Sequence, residues 1–127
     1  MRSKRTILPA TLMAAALLML STCTAAEPSA EELNRKFTKT VAPFLKAYCL
    51  DCHGNDQPEA KLDLSAYYTA RSVTNDHQIW AIVLERLEAS EMPPADSERQ
   101  PESRQRQAVV DWIKAAREFE ATRNAGD

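Results

Sequence analysis

The chain has 127 residues, with 16 Lys and Arg against 18 Asp and Glu, 44% hydrophobic residues and 27% charged ones. That suits one globular domain and excludes collagen-like, disordered and cysteine-stapled classes. Gly54 and Gly126 are the only glycines. Tight β-turns depend on glycine, so the composition argues against a sandwich or barrel and for an all-α fold rich in Ala, Leu, Glu, Arg and Gln.

Arg2, Lys4 and Arg5 open the chain, residues 7–20 are mostly apolar, and Thr24, Ala25 and Ala26 follow. A basic start, a short apolar middle and small residues at a cut site predict a secretory signal peptide over residues 1–26. A retained membrane anchor is the alternative, but the stretch is broken by Pro9 and Thr11, and a span needs about 20 apolar residues. Leu20-Ser21-Thr22-Cys23 is similar to a bacterial lipoprotein box, although Thr22 stands where Gly or Ala usually precedes the lipidated cysteine. The expectation is an exported, periplasmic or otherwise extracytoplasmic protein, membrane-anchored only if Cys23 is lipidated or the signal retained.

Removing residues 1–26 takes away three basic residues and no acidic ones, so the remaining 101 carry 13 basic against 18 acidic, a net charge of −5. Nucleic acid and anionic lipid are poor partners for such a chain. Ser29-Ala30-Glu31-Glu32 reads as a capping box. Leu33, Phe37, Val41, Phe44, Leu45 and Tyr48 follow at helical spacing, with Pro43 predicted to kink the helix or split it into 30–41 and 43–50. Residues 54–58 are turn-like, and Ser65 is expected to cap a short helix through Tyr67 and Tyr68. Asn75 or Asp76 then caps a helix carrying Ile79, Ile82, Val83 and Leu87, which ends at Met92-Pro93-Pro94. Pro101 is placed in the first turn of a last helix, with Val109, Trp112, Ile113, Ala116 and Phe119 facing inward. Four or five helices and no strand are expected.

Cys49-Leu50-Asp51-Cys52-His53 is the C-x-x-C-H sequence of c-type haem attachment. Thiols one helical turn apart can reach two vinyl groups on neighbouring edges of a porphyrin and form thioethers, and the adjacent His53 can present its imidazole to the iron. Three other readings compete. A thioredoxin-like pair needs a βαβ context, a zinc site needs four ligands and has only His77 to complete it, and a plain disulfide leaves His53 without a role. Met92 is the only methionine after residue 26 and lies 39 residues beyond His53. It stands at a proline-stiffened loop rather than in a helical stripe, which points to thioether ligation of iron; a His/Met pair raises the reduction potential. His77, beside Asp76 in the first turn of a helix, is the rival sixth ligand and would make a bis-His centre.

At these residues the chain resembles the small c-type cytochrome domains of planctomycete type. Their pattern appears as Val41-Ala42-Pro43-Phe44-Leu45, then Cys49 through the Gly54 that follows His53, then Leu62-Asp63-Leu64, Glu91-Met92-Pro93-Pro94 and Asp111-Trp112-Ile113. The resemblance covers roughly residues 37–116, within a mono-haem domain expected over 27–127. Two departures stand out. Glu59-Ala60-Lys61 occupies the place of a frequent Gly-Gly, and Ser72-Val73-Thr74-Asn75 that of a second glycine-rich loop.

The resemblance implies a small all-α cytochrome c-like domain built around one covalent haem c. Cys49, Cys52, His53 and Met92 would bind the cofactor, with His53 and Met92 on the iron. Tyr48, Tyr67, Tyr68, Trp80 and Trp112 are candidates to pack on the porphyrin or bond its propionates, but Trp112 is better placed as core against Phe37 or Phe44. The charged run 99–106 reads as solvated surface. The expected function is outer-sphere, one-electron transfer to redox partner proteins, not an enzyme activity. A haem-based sensor with a displaceable sixth ligand, or a non-haem module using a Cys49–Cys52 disulfide, are the alternatives.

Overall fold

A computed structural model describes residues 27–54, 56 and 58–126. The expected signal peptide and the lipoprotein-like Cys23 lie outside the described residues. Six α-helices are present among the described residues: α1 Ala30–Lys36, α2 Ala42–Tyr48, α3 Leu50–His53, α4 Ala70–Asn75, α5 His77–Glu88 and α6 Ser103–Ala125. Among the described residues there is no strand, and no helix is long and apolar enough to cross a membrane.

Ser29 caps α1 as expected, its hydroxyl accepting from the Glu32 amide at 3.1 Å. The predicted break at Pro43 takes another form. Residues Phe37–Val41 make a π-helical turn that feeds directly into α2, with the Ala42 amide donating to the Phe37 carbonyl. Proline cannot donate to the carbonyl four residues back and its ring crowds that group, and the widened turn accommodates both effects without ending the helix.

The middle of the chain departs further from expectation. The short helix is a single 3-10 turn over Leu64–Ala66, capped by Asp63, whose carboxylate takes both the amide and the hydroxyl of Ser65. Tyr67 and Tyr68 lie beyond it. Thr69 caps a helix that the sequence pattern did not reveal, α4, through a reciprocal bond with Ser72, so Ser72-Val73-Thr74-Asn75 is helical rather than loop. Too few apolar residues fall in six positions for a period to register. Asp76 begins α5 as one of the two expected caps, but its carboxylate accepts from Tyr67 instead of capping. Pro101 stands outside α6, whose N-cap is Glu102.

The core is one cluster. Leu33, Phe37 and Val41 from the first helices meet Val109, Trp112, Ile113 and Ala116 of α6, while Val73, Trp80 and Leu87 close it from α4 and α5. Phe37 and Trp112 are in ring contact, with centroids 5.4 Å apart. This places the N-terminal helices across α6 as the stripes predicted, and leaves the turn bearing the two cysteines on the rim of the core.

Candidate haem site

Cys49 ends α2, its amide donating to the Leu45 carbonyl at 2.9 Å, and its own carbonyl accepts from Cys52 at 3.2 Å and His53 at 2.8 Å. The resulting single turn, α3, brings Cys49, Cys52 and His53 to the wall of one cavity of about 510 Å³. Cavities of roughly 300–1,000 Å³ are the size that buries a cofactor-sized molecule. Phe44, Leu45, Leu64, Leu87 and Val109 make its lining largely apolar. Both cysteines are free thiols. Burial pushes the Cys49 thiol up to about 12, while the charge of Arg106 pulls it the other way.

Gly54 earns its place through backbone contact. A Cβ there would stand 2.8 Å from the Leu50 carbonyl oxygen and 3.1 Å from the Leu50 Cα, so the close approach is to the motif's own turn. His53 is tied by its Nδ1–H to the Glu59 carbonyl at 3.1 Å. A carbonyl only accepts, so this bond places a proton on Nδ1 and makes Nε2 the nitrogen that a neutral ring would offer to a metal. Ala60 (φ 55°) and Lys61 (φ 58°) hold the turn that delivers that carbonyl. Both sit in left-handed backbone, which explains why glycine is frequent at this place in the resembling domains.

Met92 lines the same cavity, with 38% of its surface exposed. Its loop leaves α5 through Ser90 at φ 56°, and the Arg86 carbonyl accepts from both the Glu91 and Met92 amides. Pro93 follows through a cis peptide and is buried. The rival, His77, is exposed at the start of α5 and lines a separate groove of about 210 Å³ with Val73, Thr74 and Arg117. The structure therefore brings Cys49, Cys52, His53 and Met92 together and leaves His77 apart. Among the described residues, no three His, Cys, Asp or Glu side chains converge as a metal-binding cluster, so His77 does not complete a zinc set with the cysteines.

Of the aromatic candidates, Tyr48 and Trp80 line the cavity. Tyr67 stacks edge-on to Trp80 at 5.3 Å, Tyr68 is 78% exposed, and Trp112 is core. Trp80 is fully buried, and its indole N–H is the one buried side-chain polar atom lacking a partner among the described residues. Burying an unpaired donor is costly, and Trp80 lies between this cavity and the groove that His77 lines. The donor set and the apolar lining together fit a porphyrin.

Residues 49–96 match the family model described as Planctomycete cytochrome C. The match supports a planctomycete-type cytochrome c domain over those residues. The match spans the C-x-x-C-H motif and the Met-Pro-Pro loop; α1, α2 and α6 lie outside it. No curated protein and no solved structure is significantly similar to the chain.

Two cationic side chains of the exposed run 99–106 bond to residues at the site's edge. Arg99 pairs with Asp51, inside the attachment motif, and Arg106 donates to the Met92 carbonyl. Nothing in their local sequence distinguishes them from the other charges of 99–106, because each partner comes from a distant part of the chain.

Proposed function

We propose that this cytochrome domain is an extracytoplasmic carrier of single electrons, with one haem attached through Cys49 and Cys52 and held by His53 and Met92. The observation that carries this reading is the convergence of those four side chains on one apolar cavity. Haem, when bound, supplies a ferric/ferrous couple. The chain's residues do the rest.

The two thiols, one turn apart, fix the ring's edge; His53, with its Nδ1 proton held by Glu59, presents Nε2; Met92 offers a soft thioether that favours the reduced metal. Phe44, Leu45, Leu64 and Val109 exclude water, which lowers the reorganisation that accompanies a change of charge. Outer-sphere transfer of this kind asks for no nucleophile or base, and redox proteins are the partners that fit.

The test is optical and mass measurement on protein made with haem-attachment machinery. A mass gain of one haem that acid–acetone does not remove, with a Met–iron charge-transfer band, is the expected result. Met92→Ala loses that band and His77→Ala keeps it. A colourless or extractable product overturns the reading. The partial exposure of Met92 favours one second reading, a sensor whose sixth ligand is displaced by a small molecule. Carbon monoxide binding to the ferrous protein as readily as to Met92→Ala would support that reading against electron carriage.

A further inference from the structure

Met92 poses a mechanical problem. Its side chain is 38% exposed and its loop turns through the left-handed Ser90, so side-chain packing alone holds the thioether weakly. The peptide itself, however, is gripped from two helices. On the α5 side the Arg86 carbonyl accepts the Met92 amide at 3.4 Å and the Glu91 amide at 3.0 Å, and the Arg86 guanidinium pairs with the Glu91 carboxylate. On the α6 side the Arg106 guanidinium donates to the Met92 carbonyl. Any residue at position 86 could supply a carbonyl; only a long cationic donor at position 106 supplies the second grip.

The neighbouring Gln105 binds the other end of the site, its Oε1 accepting from the Tyr48 hydroxyl at 3.2 Å and the Glu102 amide at 2.9 Å. The first turns of α6 thus connect the residue before the first attachment cysteine to the loop that bears the methionine.

We propose that Arg106 is a positioning residue that holds the Met92 thioether in the cavity by clamping the Met92 carbonyl, and so sets how readily an outside ligand replaces it. The inference rests on the His53/Met92 reading above. A hydrogen bond to a charged group carries enough free energy to change such a competition by roughly ten- to a hundredfold.

The probe is imidazole, titrated into the ferric, covalently loaded protein and followed by the Met–iron charge-transfer band. Arg106→Gln should bind imidazole about ten- to a hundredfold more tightly than wild type, and Arg106→Lys, which keeps the charge but loses the planar fork, should fall between them. In a Met92→Ala background, Arg106→Gln should change imidazole affinity less than twofold, because the group it acts through is gone. Unchanged affinity in Arg106→Gln overturns the inference while leaving His/Met ligation standing. An equal gain in the Met92→Ala background also overturns it, since that marks general opening of the cavity. If Arg106→Gln does not accumulate as loaded protein, Arg106→Lys decides: wild-type affinity there overturns the clamp. A wild-type protein that gains one haem but lacks the band removes both this inference and the ligation beneath it.

Discussion

Phe37 and Trp112 meet with ring centroids 5.4 Å apart and planes inclined at 54°, and the Trp112 indole N–H reaches back to the Leu33 carbonyl at 3.0 Å. One contact thus joins α1, the π-turn and α6 by packing and by a hydrogen bond at once. Trp112→Ala should destabilise the domain by about 3–5 kcal/mol through the cavity it leaves. Trp112→Phe should cost about 1–2 kcal/mol, since the ring contact is mostly kept and the lost bond is a neutral one. Denaturant unfolding with an unchanged m-value checks both.

Gly54→Ala should separate structure from chemistry in the attachment turn. Its new Cβ would press on the Leu50 backbone at 2.8 Å, and backbone cannot swing aside as a flexible side chain can. We expect a loss of about 1–3 kcal/mol and a smaller fraction of chains gaining one haem by mass, because α3 must shift and carries His53 with it.

Ala60→Gly should do the opposite. Ala60 is held at φ 55°, where an L-residue pays roughly 1–2 kcal/mol and glycine pays nothing. After the extra freedom glycine gains in the unfolded chain, a net stabilisation of about 0.5–1 kcal/mol is expected, read as a higher denaturant midpoint. A lower midpoint would contradict the strain assigned to this turn.

Tyr67 gives the domain an alkaline limit. Burial pushes its phenol up to about 12, aided by its bond to the Asp76 carboxylate at 2.6 Å. The sign follows from the protonated form being favoured in the fold. Below about pH 10 both folded and unfolded chains keep the proton and the contribution is whole. Between about 10 and 12 the unfolded chain loses it first, so stability falls as pH rises. Tyr67→Phe in the loaded protein should lose less stability across that window, which unfolding midpoints at pH 9 and pH 11.5 would measure.

The cysteine spacing, the adjacent histidine and the methionine before two prolines were legible without coordinates, because each is a local pattern whose chemistry depends on residue type and distance along the chain. The stripes of α1, α2 and α6 were legible for the same reason. Boundaries were less so where the signals competed. Asp63 displaced Ser65 as a cap, Thr69 opened a helix too short to show a period, and the strain at Pro43 was absorbed by a wider turn.

By itself, then, the amino-acid order determined an all-helical domain, the C-x-x-C-H element and the identity of the residues able to hold a haem. Only the tertiary structure decided that Met92 shares a cavity with His53 while His77 faces elsewhere, that Glu59 orients the imidazole, and that Arg99 and Arg106 reach Asp51 and the Met92 carbonyl. The reason is physical: a ligand's position depends on contacts between segments tens of residues apart, and a charged side chain looks the same in sequence whether water or a distant carbonyl receives it.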